Sequence, residues 1–135
     1  MSLRPWLALG LLLSLAACAT AETVRDAPVD AGVSQSFAAP YDRTTAATLD
    51  TLRSLNINIT ATEEKSNGLQ IQVTKSMNLF SWGEVGRILV ERSSQAPTVV
   101  RVYWQKRSVM QITGTGQTDF SNELFNGIQQ RISAR

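Results

Sequence analysis

The stretch NINITATEEKSNGLQIQVT, residues 56–74, decides the fold. Apolar residues alternate with polar ones in each half: Ile57, Ile59 and Ala61 in the first, Leu69, Ile71 and Val73 in the second. A period of two is typical of a strand that buries one of its faces. The Ser-Asn-Gly sequence at 66–68 lies between the halves and favours a tight turn. We therefore predict two antiparallel strands joined as a hairpin.

A second hairpin is predicted further along the chain. The runs EVGRILVERSS (84–94) and TVVRVYWQKRS (98–108) have strand composition and flank the turn residues 95–97. The second run alternates between two faces, one with Val100, Val102 and Trp104, the other with Arg101, Tyr103 and Gln105. The segment VMQIT (109–113) either extends this sheet or forms one more short strand.

Two amphipathic helices are predicted, one before these strands in the chain and one after them. SFAAPY (36–41) begins as a short strand and turns at Pro40, and YDRTTAATLDTLRSLN (41–56) follows it. Its residues recur three and four apart, at Tyr41, Thr45, Thr48 or Leu49, Leu52 and Leu55. TDFSNELFNGIQQRISAR (118–135) has a similar stripe at Phe120, Leu124, Ile128 and Ile132.

The predicted elements follow one another in the order β-α-β-β-β-β-α. Neighbouring strands that are joined by short turns must be antiparallel. We predict an α+β domain over 37–135, with an antiparallel sheet of four to five strands and both helices packed on one face. The other face is expected to meet solvent; its residues include Gln70, Gln72, Arg101, Tyr103 and Gln105.

The first seventeen residues have the three-part pattern of a secretory signal. Arg4 supplies positive charge, WLALGLLLSL (6–15) is an uncharged apolar run, and two alanines follow it. The run is shorter than the roughly 20 residues of a permanent membrane-spanning helix. A buried core helix is the alternative, but the run has no polar face. Residues 1–17 are therefore predicted to be a signal peptide.

The sequence Leu15-Ala16-Ala17-Cys18 resembles the lipobox of bacterial lipoproteins. The resemblance implies that the signal is cut before Cys18 and that the thiol of Cys18 receives a diacylglyceryl group, with acylation of the new amino terminus as well. Two or more acyl chains hold a protein stably at a membrane. In Gram-negative lipoproteins an aspartate after the cysteine marks the inner membrane; Ala19 here favours the inner leaflet of the outer membrane, with the domain in the periplasm.

Other roles for Cys18 suit the composition less well. It is the only cysteine, and the chain contains no histidine. A cysteine nucleophile usually needs a histidine base, and a metal site needs several ligands. An intermolecular disulfide stays open if the lipobox is not processed. Residues 18–36 are predicted to be the lipidated cysteine and a flexible tether, because they show no sustained period and contain Pro28 and Gly32.

The domain is similar to small domains of uncharacterised Gram-negative envelope lipoproteins. The similarity rests on the lipobox and on APYDRTTAATLDTLRSLNINI (39–59), the entry to the first helix and strand. It distantly resembles the helix-grip modules of a lipoprotein subunit of the outer-membrane barrel assembly machine. These resemblances imply a fold and a location but no activity.

No catalytic, cofactor or metal constellation stands out, so the chain is predicted not to be an enzyme. GTGQTD (114–119) lacks the third glycine of a dinucleotide fingerprint and is predicted to be a flexible lead into the last helix. The net charge of +2 gives no footprint for nucleic acid. SMNLFSWGE (76–84) is unusual because it is rich in large apolar residues. They either fold onto the core or form a projecting interaction patch; the candidate patch residues are Met77, Leu79, Phe80, Trp82, Arg101 and Tyr103.

The sequence therefore favours a non-enzymatic outer-membrane lipoprotein, an accessory or scaffold protein that binds another envelope component. The alternative is a module that binds a lipid or a cell-wall fragment in a groove between helix and sheet, lined by Trp104, Tyr41 or Phe120. A hydrolase that uses Ser, Asp or Glu without histidine is the least favoured class.

Overall fold

A computed structural model describes residues 20–77, 83–108 and 113–134. In chain order the elements are α1 (Ala21–Arg25), β1 (Val33–Phe37), α2 (Tyr41–Ser54), β2 (Asn58–Lys65), β3 (Gly68–Lys75), β4 (Glu84–Glu91), β5 (Thr98–Lys106) and α3 (Gln117–Ser133). The predicted α+β class and the order β-α-β-β-β-β-α are confirmed from β1 onward. The helix α1 precedes them and was not predicted.

The five strands form one sheet in the order β1-β5-β4-β3-β2, and all neighbouring pairs are antiparallel. Both predicted hairpins are present, since β2 pairs with β3 and β4 pairs with β5. The chain then places its first strand beside its last, at the edge of the sheet opposite β2. The prediction for 109–113 falls mostly outside the described residues.

The inward alternation of β2 ends sooner than the sequence suggests. Ile59 pairs with Val73, but Ala61 already pairs with Gln72, so the register shifts between them. Such a bulge inserts one residue and turns the following side chains to the other face. Ala61 is therefore exposed, whereas Ile57 is buried.

The main core lies between the sheet and the pair α2 and α3. The predicted stripe of α3 is confirmed, because Phe120, Leu124, Ile128 and Ile132 are all buried. From the sheet, Val100, Val102 and Trp104 face these helices, as the alternation of β5 predicts. The rings of Trp104 and Phe120 stack with their centroids 3.8 Å apart.

The buried face of α2 is rotated from the predicted one, toward smaller residues. Thr44, Ala47, Thr48, Thr51 and Leu52 are buried, while Tyr41, Leu49 and Leu55 lie at the margin of the core. Threonine can be buried here because its hydroxyl donates to a carbonyl four residues back: Thr48 Oγ1 to Thr44 O at 2.8 Å, and Thr51 Oγ1 to Ala47 O at 2.7 Å. Small side chains let α3 approach closely. A Cβ placed on Gly127 would lie 2.4 Å from Thr51 Cγ2.

The expectation of a flexible coil is corrected for residues 20–36. Residues 33–36 belong to β1, and residues 20–31 contain α1 and lie on the sheet face opposite α2 and α3. The expectation that this face meets solvent is corrected with it, because Gln70 and Leu89 are buried there. Arg101 and Tyr103 are half-buried, and of the three predicted residues on this face of β5 only Gln105 is exposed.

Candidate functional site

A short segment of the chain covers the face of the sheet opposite α2 and α3. We call residues 20–31 the N-terminal strap. Its helix α1 packs mainly on β4, and Val24 is only 1% exposed. A capping box closes the start of this helix, since Thr23 N donates to Thr20 Oγ1 at 3.2 Å and Thr20 N donates to Thr23 Oγ1 at 2.8 Å. A helix of five residues is not stable alone, so contacts with the sheet must hold it.

Arg87, on β4, supplies the central contact of the strap. Its Nη1 donates to Ala27 O at 2.6 Å and to Arg25 O at 3.3 Å, and its Nη2 donates to Pro28 O at 2.7 Å. The side chain is almost fully buried, with 4% of the residue exposed. This burial lowers the pKa of the Arg87 guanidinium, because it removes the charge from water. Arg87 thus fastens three carbonyls at the end of α1 and just after it to the middle of the sheet.

Arg101 and Tyr103, two of the predicted patch residues, lie beside Arg87 on β5. Arg101 donates to Glu91 Oε1 at 3.2 Å and to Asp30 O at 3.3 Å, so it holds the end of the strap. The ring of Tyr103 lies under the guanidinium of Arg87, with 5.8 Å between the guanidinium carbon and the ring centroid. Arg101 therefore holds the strap directly, whereas Tyr103 contacts Arg87, which in turn binds the strap. The strap occupies the surface that was expected to meet solvent.

Gly32 lets the strap turn into the edge of the sheet. Its φ is +96°, in the left-handed region, and a Cβ there would lie 2.0 Å from Val102 O. Only glycine accommodates both the conformation and the contact. The chain therefore leaves the strap against β5 and continues directly as β1.

Of the remaining patch residues, only Met77 lies within the described residues, and it does not join this face. Met77 follows β3 and is 71% exposed, while Leu79, Phe80 and Trp82 lie outside the described residues. Lys75, two residues before Met77, pairs with Glu84 on β4, and Glu84 pairs with Lys106 on β5, so the three residues lie at the same end of the sheet. Arg101 lies five residues earlier on β5, about 17 Å along the strand. Met77 and Arg101 consequently do not form one surface.

The segment that leads into α3 closes the end of the helix–sheet interface. Thr115 receives three contacts: its O accepts from Trp104 Nε1 at 2.9 Å, its Oγ1 from Lys75 Nζ at 3.0 Å, and its N donates to Glu84 Oε1 at 3.0 Å. The expectation of a flexible lead over residues 114–119 is corrected, because residues 117–119 belong to α3 and Thr115 is hydrogen-bonded to β3, β4 and β5. The indole of Trp104 lines a shallow, open depression of about 310 Å³.

The residues proposed for a ligand groove are occupied by other contacts. Trp104 and Phe120 are buried against each other. Tyr41 is half-buried at the surface, where the Arg92 guanidinium lies 4.6 Å from its ring centroid and Glu64 accepts from its hydroxyl at 3.4 Å. The described interface between α2, α3 and the sheet is thus filled by side chains.

Arg87 and the strap were missed by the sequence analysis. The signal that could have found them is in β4, where Val85 and Leu89 are apolar although they lie on the supposedly solvated face. Cys18, the predicted lipid site, lies outside the described residues. Over the described ranges, no cluster of three or more Cys, Asp or Glu side chains could hold a metal ion. No helix in this part of the chain is long and apolar enough to cross a bilayer.

Comparison with known proteins gives no assignment. No protein family model matches the chain, and no curated protein is significantly similar to it.

Proposed function

We propose that this chain is a non-enzymatic lipoprotein, held by lipid on Cys18 at the inner leaflet of the outer membrane of a Gram-negative bacterium. Its domain would serve as an accessory or scaffold that binds another envelope component. The signal-like residues 1–17 and the lipobox-like sequence at 15–18 support the anchor. One structural observation carries the proposal further: the strap begins at Thr20, two residues after Cys18.

The docked strap makes the anchor short. A chain spans at most about 3.6 Å per residue, so the Cα atom of Cys18 would lie within about 7 Å of the Cα atom of Thr20. A free coil of the eighteen residues 19–36 would instead give about 25 Å. Lipid on Cys18 would then hold the strap-covered face of the sheet beside the headgroups. The layer formed by α2 and α3 would face the periplasm, where an envelope partner can reach it.

The alternative of a lipid- or fragment-binding groove between helix and sheet has less support. Such a groove needs an open apolar cavity. Phe120 and Trp104 are instead stacked and buried, and Tyr41 contacts Glu64 and Arg92.

Fractionation of a Gram-negative expression host tests the anchor. The full chain with Cys18 should be found in the outer membrane and should incorporate labelled palmitate. Cys18→Ala should remove the label and release the protein from the membrane. Ala19→Ser is the matched control, because it leaves the cysteine intact. Equal membrane attachment of the wild type and Cys18→Ala would refute the lipid anchor.

Crosslinking in intact cells tests the accessory role separately. A photoreactive residue would be placed at Met77, which is exposed at one end of the sheet, or at Asn122, which is exposed on α3. We expect one discrete adduct from at least one position, and the same adduct should be lost with Cys18→Ala. Only uncrosslinked monomer from both positions would argue against a protein partner while leaving the anchor intact.

A further inference from the structure

A small cavity lies between the strap and the sheet, and its lining is basic. Its volume is about 80 Å³. The polar residues that line it are Arg25, Lys65, Asn67, Gln70 and Arg87, and the apolar ones are Ala27, Val29 and Leu89. Three lining residues are cationic and none is acidic. A buried water needs about 10–15 Å³ of such space, so the cavity has room for several waters or for one tetrahedral oxyanion.

Within the described residues, the charge of Arg87 has no counter-ion. All eleven acidic side chains of the protein lie within the described residues, and none of them forms an ion pair with Arg87. The three carbonyls that it binds accept hydrogen bonds but carry no net charge. Its neighbour Arg101 adds repulsion. A buried, uncompensated guanidinium is costly, and an anion in the adjoining cavity would relieve that cost.

Gln70 provides a second, independent sign of a missing acceptor. The residue lies on β3 beside the cavity and is 6% exposed. Its Nε2 is buried and has no hydrogen-bond partner within the described residues. Buried amide donors are nearly always paired in folded proteins. An oxyanion would supply the acceptor that this amide lacks.

The acidic side chains that pair with the lining residues Arg25 and Lys65 are turned to solvent. Asp26 pairs with Arg25 at 2.8 Å, and Glu63 pairs with Lys65 at 3.6 Å. The side chains of Asp26 and Glu63 are both 60% exposed, so neither carboxylate fills the cavity. Arg87 still has donors available, because three of its five N–H groups are used by the strap.

We propose that this cavity binds a phosphate-sized oxyanion, with Arg87 and Gln70 as inner donors and Lys65 at the entrance. The ligand is either free phosphate or the phosphate of a lipid headgroup. The site itself does not depend on the anchor. Only the lipid source rests on the proposed function, which would place the strap beside the headgroups.

Thermal unfolding of the purified full-length protein in a non-ionic, phosphate-free detergent tests the site. Inorganic phosphate should raise the unfolding midpoint saturably, beyond the effect of chloride at equal ionic strength, because a ligand of the native state stabilises it. Lys65→Gln should require about two- to fivefold more phosphate for the same rise, as expected for one exposed charge. Arg53→Gln is the control, since Arg53 is exposed and pairs with Asp50; its phosphate response should equal that of the wild type.

Gln70→Glu replaces the inner amide donor with a carboxylate, which would offset the charge of Arg87 and repel an anion from the cavity. This variant should unfold at a higher temperature than the wild type without phosphate, and phosphate should no longer raise its midpoint. If it fails to fold, Lys65→Gln alone decides the result. A phosphate response that does not saturate, or that Lys65→Gln leaves unchanged, would overturn the site.

Liposomes distinguish the two sources of phosphate. In phosphate-free buffer, the protein would be inserted into vesicles of phosphatidylglycerol or of a glucosyl-diacylglycerol that contains no phosphate. A higher unfolding midpoint in phosphatidylglycerol, sensitive to Lys65→Gln, would identify the headgroup as the ligand. A response to inorganic phosphate alone would identify the free anion. Absence of a saturable response in both arms would refute the site, whatever the outcome of the Cys18→Ala fractionation.

Discussion

Replacing Arg87 with alanine removes the three hydrogen bonds that hold the strap on the sheet. Two of these bonds, at 2.6 and 2.7 Å, have good length, whereas the third, at 3.3 Å, is weak. A hydrogen bond to a charged group contributes about 1.5–3 kcal/mol net. The lower value applies here, because the guanidinium also loses its hydration. Two strong bonds then stabilise the docked strap by about 3 kcal/mol.

Hydrogen exchange of the strap amides is the direct assay of this free energy. The amides of Val24, Asp26 and Ala31 donate within the strap, at 3.2, 2.9 and 3.0 Å. A loss of about 3 kcal/mol raises the equilibrium constant for detachment of the strap from the sheet roughly 100-fold. We therefore expect Arg87→Ala to exchange these amides about 100-fold faster. Amides in the centre of β3 and α3 should change much less, because the main core lies on the other side of the sheet.

Arg53→Ala is the matched control for this experiment. Arg53 is an exposed arginine on α2 whose ion pair with Asp50 contributes little, so strap exchange should stay within twofold of the wild type. Arg87→Lys should fall between the two variants, since an ammonium group cannot reproduce the planar fork. Unchanged strap exchange in Arg87→Ala would refute the role of Arg87, even if the whole protein became less stable.

Two further predictions concern the helix layer and the rim of the sheet. Gly127→Ala should lower the free energy of unfolding in urea by up to about 2 kcal/mol. The new methyl group overlaps Thr51 at a cost of about 1–3 kcal/mol, and the gain in helix propensity offsets about 1 kcal/mol of it. A more stable variant would contradict the close approach of α3 to α2. Burial, together with the nearby Glu64 carboxylate, raises the pKa of the Tyr41 hydroxyl above its ordinary value. The neutral hydroxyl therefore stabilises the fold fully at pH values below that ordinary pKa, and this stabilisation is lost as the pH rises through the pKa of the folded protein. Tyr41→Phe should lack this alkaline loss in urea titrations, and identical pH profiles for the two proteins would contradict it.

Alternating apolar residues made the sheet and its hairpins predictable. Ile71 and Val73 lie inside as expected, because strand side chains alternate regardless of distant contacts. The bulge before Ala61 was not predictable, since one inserted residue leaves no local mark. The buried face of α2 was misjudged for a related reason. Thr48 and Thr51 look polar in sequence, but their hydroxyls bond to the helix backbone and their methyl groups fill the core.

The strap escaped prediction because its stability is not local. Ala21–Arg25 is too short to form a helix by itself. It forms because Arg87, sixty residues from Ala27 in the chain, binds the carbonyls that follow it. The candidate anion site was not predictable for the same reason, because its residues are far apart in the chain and come from the strap, β2, β3 and β4. The prediction at Cys18 rests on a contiguous signal, the lipobox-like sequence at 15–18, and both the signal and the lipidation stay predictions.

We propose that lipid on Cys18, together with the docked strap, holds one face of the sheet against the bilayer. Once Cys18 is lipidated, an introduced cysteine is the only free thiol, so a dye can be attached at Gln105→Cys on the strap-covered face or at Asn122→Cys on α3. Both residues are exposed, and a sheet-to-helix spacing of about 10 Å plus a helix radius of about 5 Å separates them across the domain. Energy transfer to headgroup-labelled vesicles should be stronger from position 105 than from position 122. Equal transfer from both positions would contradict the account.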